Sequence, residues 1–308
     1  MNQKLKKRNP LLKEIKLHWE LYLFMLPGLA CLIIFNYIPM SGVLMSLQNV
    51  RMGDEYLKSA WVGLEHFGTF FKSYWLPLMV RNTAIISILT QVLAWPCGLG
   101  LALLLHNSNS KFLRKTTQNL SYIPHLLSMV IVVAILDLFC ASNTGLINII
   151  AMKLGGSNTK FLEDPGLVYF FHVITSIWQG TGYSAIVYLG SLASVDEQQI
   201  EAAKIDGASK MKIITKIQIP TIMPTVVTML ILSLGNMFTL GADKGYLLQN
   251  PLNIERSEII SVYVYKAGLM DAQYGFSAAI GLLQNVINLV MLFLVNAVAS
   301  KVTDTSVV

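Results

Sequence analysis

The chain has 308 residues, 54% of them apolar and only 13% charged, with a formal net charge of +6. An average soluble domain carries roughly 25% charged residues, so the composition argues against one large soluble core and for bilayer-spanning segments. Cys31, Cys97 and Cys140 each stand alone in an apolar run, which indicates neither a disulfide framework nor a zinc site.

A helix needs about 20 apolar residues to cross about 30 Å of hydrocarbon at about 1.5 Å per residue. After a basic segment over 1–20, the run over 22–47 is too long for the apolar core of a cleaved signal, and is read as a retained first span. Further runs over 84–106, 120–141, 168–192, 221–240 and 276–298 predict an all-α polytopic bundle of six transmembrane helices over 21–300, with a tail over 301–308. The connection over 49–81 holds Trp61, Phe67, Phe70, Phe71, Tyr74 and Trp75, a density of aromatics that suits a headgroup region.

Orientation follows from the basic residues. With the N-terminus cytoplasmic, the inside segments hold Lys4, Lys6, Lys7, Arg8, Lys13, Lys16, Lys111, Arg114, Lys115, Lys204, Lys210, Lys212, Lys216 and Lys301. The outside ones hold Arg51, Lys58, Lys72, Arg81, Lys153, Lys160, Lys244, Arg256 and Lys266. Fourteen against nine places both termini inside by the positive-inside rule. The basic excess therefore has a membrane explanation and does not argue for nucleic acid.

The inside segment over 193–220 reads VDEQQIEAAKIDGASKMKIITKIQIP from residue 195. Its spacing predicts a short helix, a turn at Gly207 and a second helix returning to the membrane. Small side chains at Ala202, Ala203 and Ala208 permit close approach of another surface, Gly207 permits a backbone that other residues resist, and Pro220 suits a first helical turn. An interfacial connector is the plainer reading of such periodicity, but the residues are more specific than that. Glu201-Ala202-Ala203, Asp206-Gly207, Ile217 and Pro220 resemble the EAA loop of permease subunits of binding-protein-dependent ABC importers, with Ile219 where Leu is usual.

The resemblance spans nearly the whole chain. Gly63-Leu64-Glu65-His66-Phe67, Asn82-Thr83, Tyr122-Ile123-Pro124-His125 and the stretch 263–296 are similar to the sugar and polysaccharide (LplB-like) permeases of that family. It implies the type I importer permease fold and import of an oligosaccharide or polysaccharide fragment by alternating access, in the bacterial plasma membrane. It further implies a heterodimer with a second homologous permease, two ATPase subunits that bind ATP and Mg, and an extracellular solute-binding lipoprotein. The EAA loop would be the coupling helix docked in the ATPase. No cofactor is expected on this chain.

Polar and aromatic residues inside the spans are the candidates for the solute path. Trp178, Gln179, Tyr183 and Tyr188 cluster in the fourth span around Gly180 and Gly182. Asn236 ends the fifth span, and Gln284 and Asn288 share a face of the sixth. Rings suit sugar faces and amides suit hydroxyls.

No phosphate-binding G-x-x-x-x-G-K-[ST], H-E-x-x-H or G-x-S-x-G occurs, so the chain is not expected to be an enzyme. An intramembrane hydrolase would need His125 or His172 beside Asp137, yet His125 and Asp137 stand about 18 Å apart on a straight helix. A secondary transporter, or an ABC permease for a non-sugar solute, is the alternative; a secondary transporter more often shows an internal repeat and several buried charges.

Overall fold

The computed structural model describes residues 17–55 and 58–303. Most of the expected segments 1–20 and 301–308 lies outside the described residues. Those described are helical apart from turns and a single bridge between Gln48 and Trp61.

Helix α1 starts at Trp19–Leu32 and continues through Ile33–Tyr37, Ile38–Met40 and the tighter turns of Ser41–Leu47. The amphipathic α2 is Glu65–Phe71 and the long α3 is Leu76–His106. Next come α4, Lys111–Leu126, α5, Met129–Cys140, and α6, Leu146–Lys153. Helix α7 is Val168–Leu192, α8 is Glu197–Ile205, and α9 runs unbroken over Lys210–Gly235. The outer connection holds α10, Ala242–Leu248, α11, Ile254–Ser257, and α12, Ile260–Tyr265, before the last helix α13, Tyr274–Thr303.

Two wide turns share one cause. Ile33–Tyr37 and Ile214–Gln218 are π-helical, and each is followed by an Ile-Pro pair, Ile38-Pro39 and Ile219-Pro220. Proline offers no N–H and its ring crowds the carbonyl four residues back, so the preceding turn widens and the helix carries on. Pro220 therefore lies inside α9, whose helix begins at Lys210, ten residues ahead of it.

Among the described residues four helices are long and apolar enough to cross a membrane: Trp19–Leu47, Leu76–His106, Lys210–Gly235 and Tyr274–Lys301. A fifth candidate is the pair α4 and α5, bent by 103° at their junction. That bend corrects the expectation of one straight span over 120–141. Leu127 is extended, with ψ 137, and Ser128 caps the new helix by accepting from the Ile131 N–H. The Pro-His pair consequently ends α4 and does not open a span. The 25-residue α7 is not among these; its middle carries the polar run over 179–184.

In the packing, α3 lies along α7, α4 against α7, and α9 against α13, which also covers Ser41–Leu47. One core joins α3, α7 and α9 through Ala102, Ala185, Tyr188, Leu192, Ile222 and Val226. A second, of Phe70, Met79, Ile260, Phe276 and Ile280, joins α2, α3, α12 and α13. Between helices in lipid the attraction is close packing and hydrogen bonding, not transfer out of water. None of the side chains of Trp19–Leu32 is buried against the rest of the chain.

Candidate coupling loop and translocation path

The loop over 196–220 is two helices meeting at one turn. Asp196 caps α8 by accepting from the Gln198 N–H at 2.9 Å. At the far end the Ala208 N–H donates to the Ala203 carbonyl at 2.9 Å and the Gly207 N–H to that of Lys204 at 3.1 Å. This paired closure needs a left-handed residue, supplied by Gly207 at φ 73. Ser209 then caps α9 by accepting from the Lys212 N–H. The spacing from Ala203 to Gly207 and Ala208 is thus a helix-ending device as well as a candidate contact.

The turn projects freely. Glu201, Ala202, Asp206 and Gly207 are exposed, Ala203 and Ala208 half-buried. Ile217 packs at the edge of the inner core, and Pro220 is exposed on α9. Sequence reasoning passed over Ile205, an apolar side chain 87% exposed at the tip of the loop beside Gly207. The available signal was an isolated apolar residue immediately before the Asp-Gly turn.

The path candidates divide by what they touch. Gln179 donates to the Leu127 carbonyl at 3.1 Å, satisfying a group left open where α4 breaks from α5. Tyr183 stacks on His125, rings 4.6 Å apart and 14° from parallel. Trp178 and Tyr183 each keep an exposed face. Gly182 lies directly against the Ser121 backbone, whereas Gly180 faces open space. Tyr188 is 2% exposed, inside the inner core, and presents no face to a solute in this conformation.

Gln284 and Asn288 hold the link between α9 and α10. Gln284 donates to the Phe238 carbonyl, while Asn288 accepts from the Phe238 N–H at 3.1 Å and donates to Thr239 Oγ1. Gln284 also lines a cavity of about 500 Å³ with Asn285, Thr239, Ser261, Tyr265 and Ser277. Asn236 is exposed, its side-chain amide donating to the Leu232 carbonyl at 3.1 Å. The fourth-span group and the sixth-span group therefore sit at different helix contacts.

Other polar residues secure the outer face. Asn82 is fully buried; it donates to the carbonyls of Glu255 and Glu258 at 3.0 and 2.9 Å and accepts from Tyr169 Oη at 2.7 Å. Thr83 accepts from the Ile260 N–H at 3.1 Å. The Asn-Thr pair thus fastens α11 and α12 to α3. Glu258 pairs with Lys266 at 2.7 Å. Lys244 is buried, donating to the His172 carbonyl at 2.8 Å and Ser176 Oγ at 2.7 Å, and none of the ion pairs among the described residues includes it.

No catalytic pair assembles from the candidates. His125 is stacked on Tyr183, while Asp137 lines a separate groove with Ser142, Glu163, Gln249 and Asn250. Among the described residues no three His, Cys, Asp or Glu gather as metal ligands.

Residues 94–304 match the model of the binding-protein-dependent transport system inner membrane component. Protein LplB of Bacillus subtilis (strain 168) is 37% identical, over 91% of this chain and 88% of its own. The polygalacturonan/rhamnogalacturonan transport system permease protein YteP of the same organism is 36% identical, over 97% and 93%. Among solved structures, a chain of a bacterial ABC transporter involved in the import of the acidic polysaccharide alginate superposes with a TM-score of 0.87 at 32% identity, covering 96% of this chain and all of that one. The same TM-score and identity hold for that alginate transporter in complex with an alginate pentasaccharide-bound periplasmic protein. With an exposed helical turn between α7 and α9 and this match over most of its length, the chain belongs to the family of inner-membrane permease components of binding-protein-dependent ABC importers, whose ATP hydrolysis resides in separate subunits.

Proposed function

We propose that this chain moves an oligosaccharide into the cell by alternating access, as one of two permease subunits in a bacterial plasma membrane. Six spans are supported by counting α4 with α5 as one broken span and α7 as the one enclosed by its neighbours, its polar groups turned toward other helices instead of lipid. Both termini then lie inside, in agreement with the basic bias. The unburied Trp19–Leu32 part of α1 is free to lie on the partner permease or in lipid. A carbohydrate solute is supported by the curated relatives and by the exposed rings of Trp178 and Tyr183, whose faces suit pyranose rings.

The observation that carries the reading is the exposed turn Ile205–Ala208, held at a fixed angle by its own hydrogen bonds. Such a knob fits a groove of an ATPase subunit. Closure of two ATPases on ATP would draw the two loops of the heterodimer together and turn the cavity outward; release would return it inward. Solute would arrive from a binding protein outside.

The test is co-purification of the ATPase with the permease, together with uptake of labelled oligogalacturonides, alginate pentasaccharide, arabino-oligosaccharides and maltodextrins in proteoliposomes. Ala203→Asp and Gly207→Asp are expected to lower ATPase recovery or uncouple hydrolysis from uptake while insertion is kept, since a charge buried without a partner is costly. Full recovery with normal coupled uptake in both variants would sink the coupling assignment, and uptake of none of the saccharides would sink the solute class.

A further inference from the structure

The return leg of the loop is tied to α3 by a polar joint that none of the family's marked positions includes. Gln218, between Ile217 and Ile219, is buried at 1% exposure. Asn107 Nδ2 donates to Gln218 Oε1 at 2.8 Å, and Gln218 Nε2 donates back to Asn107 Oδ1 at 3.2 Å. Asn107 is the residue that ends α3, and its Nδ2 also donates to the Leu103 carbonyl at 2.9 Å. Lys210, the first residue of α9, donates from Nζ to the Asn107 carbonyl at 2.8 Å, a cation on the negative end of a helix. Asn107 is therefore gripped through both its side chain and its backbone, by residues two turns apart on one helix.

Apolar contacts tolerate sliding; this joint does not. A reciprocal amide pair satisfies both partners in one orientation only. Slippage leaves buried donors and acceptors unmet, at about 1–3 kcal/mol each. The widened turn Ile214–Gln218 ends on Gln218 itself, so the step imposed by Pro220 falls where the amide is gripped.

Resting on the coupling-loop reading, we propose that Asn107, Lys210 and Gln218 are positioning residues that make the inner end of α3 and the return leg of the loop one rigid piece. Displacement of the loop by the ATPase then moves α3. Through the α3–α7 packing it reaches the polar middle of α7.

The experiment uses the reconstituted complete importer with Cys31, Cys97 and Cys140 replaced by Ser, and needs no solute. Spin labels on cysteines at Asn109 and Lys212 report the distance across the joint in nucleotide-free and vanadate-trapped complexes. The expected result is one narrow distance, the same in both states. In Asn107→Leu/Gln218→Leu the ATPase still co-purifies in full, but the distance broadens or differs between states. In that pair the vanadate-driven change in maleimide labelling of Gly180→Cys is lost, because two apolar side chains leave the helices free to slide. The swapped pair Asn107→Gln/Gln218→Asn, which keeps both amides, restores both readouts. A distance that changes between states with the native pair in place overturns the proposal, as does a Leu pair indistinguishable from native. These outcomes differ from failure of the coupling reading itself, which shows as full ATPase recovery and coupling in Ala203→Asp.

Discussion

Gly182 of α7 lies against the carbonyl of Ser121 in α4, so close that a Cβ at residue 182 would overlap the Ser121 and Tyr122 backbone. Small residues at helix contacts let backbones approach in lipid, and here the approach brings Gln179 to Leu127 and Tyr183 to His125. Gly182→Val is expected to separate the helices and destabilise the permease by about 1–3 kcal/mol, the usual scale of overpacking. Gly180→Ala, in open space, is expected to be near neutral. Thermal unfolding in detergent compares them; equal melting temperatures would contradict the contact.

Ile205 is 87% exposed at the tip of the loop. If it fills an apolar pocket in the ATPase, Ile205→Asp should reduce ATPase recovery by at least about tenfold, as loss of an interface anchor of 1.4 kcal/mol or more does. Permease yield should stay unchanged. Unlike Gly207→Asp, this change leaves the left-handed turn intact, so unaltered binding here would remove the apolar anchor from the reading.

Within the fourth-span group, the roles predict different defects. Trp178→Ala and Tyr183→Ala remove rings with exposed faces, and should raise the KM for saccharide uptake with the melting temperature little changed. Gln179→Ala leaves the Leu127 carbonyl unmet and should lower stability by about 1–3 kcal/mol. Tyr188→Ala opens the inner core and should destabilise by about 3–5 kcal/mol, by analogy with other large-to-small aromatic changes. A KM effect confined to Tyr188 would reverse this division.

Lys244 lies outside the proposed spans, and burial lowers its ammonium to about 8, with Asp243 opposing that shift. Folding thus weakens its hold on the proton, although the ammonium is still the main form at pH 7. The penalty is full below about 8 and fades as pH rises toward the ordinary lysine value of 10.5. Lys244→Met should therefore raise stability at pH 7 by about 1–4 kcal/mol, with a smaller gain at pH 10. Melting curves at the two pH values check this; a gain that grows with pH has the wrong sign.

Topology is open to impermeant thiol labelling of intact cells. Ser110 caps α4, so Asn109→Cys is the cleaner inside reporter; it and Ser306→Cys should resist, while Ser157→Cys should react. Labelling at position 306 would overturn six spans with both termini inside.

The turn at Gly207 was legible because its causes are local. Asp196, Gly207, Ser209 and Pro220 act within a turn or two of their own positions, through caps and fixed φ angles, and four of the expected spans follow from apolar length alone. The break at Leu127 was not legible, since an apolar run over 120–141 has the same hydropathy bent or straight. The partners of the polar groups in the helices were not legible for a related reason. In lipid every amide and hydroxyl must find a partner, and which one it finds depends on the neighbouring helix. Gln179 met a stray carbonyl 52 residues away, Gln284 one 46 away, and Asn107 met Gln218 across 111 residues. Residue type announced that these groups needed partners; only the packing of α3, α4, α7, α9 and α13 decided which were used up in holding helices together and which, like Trp178 and Tyr183, kept an exposed face.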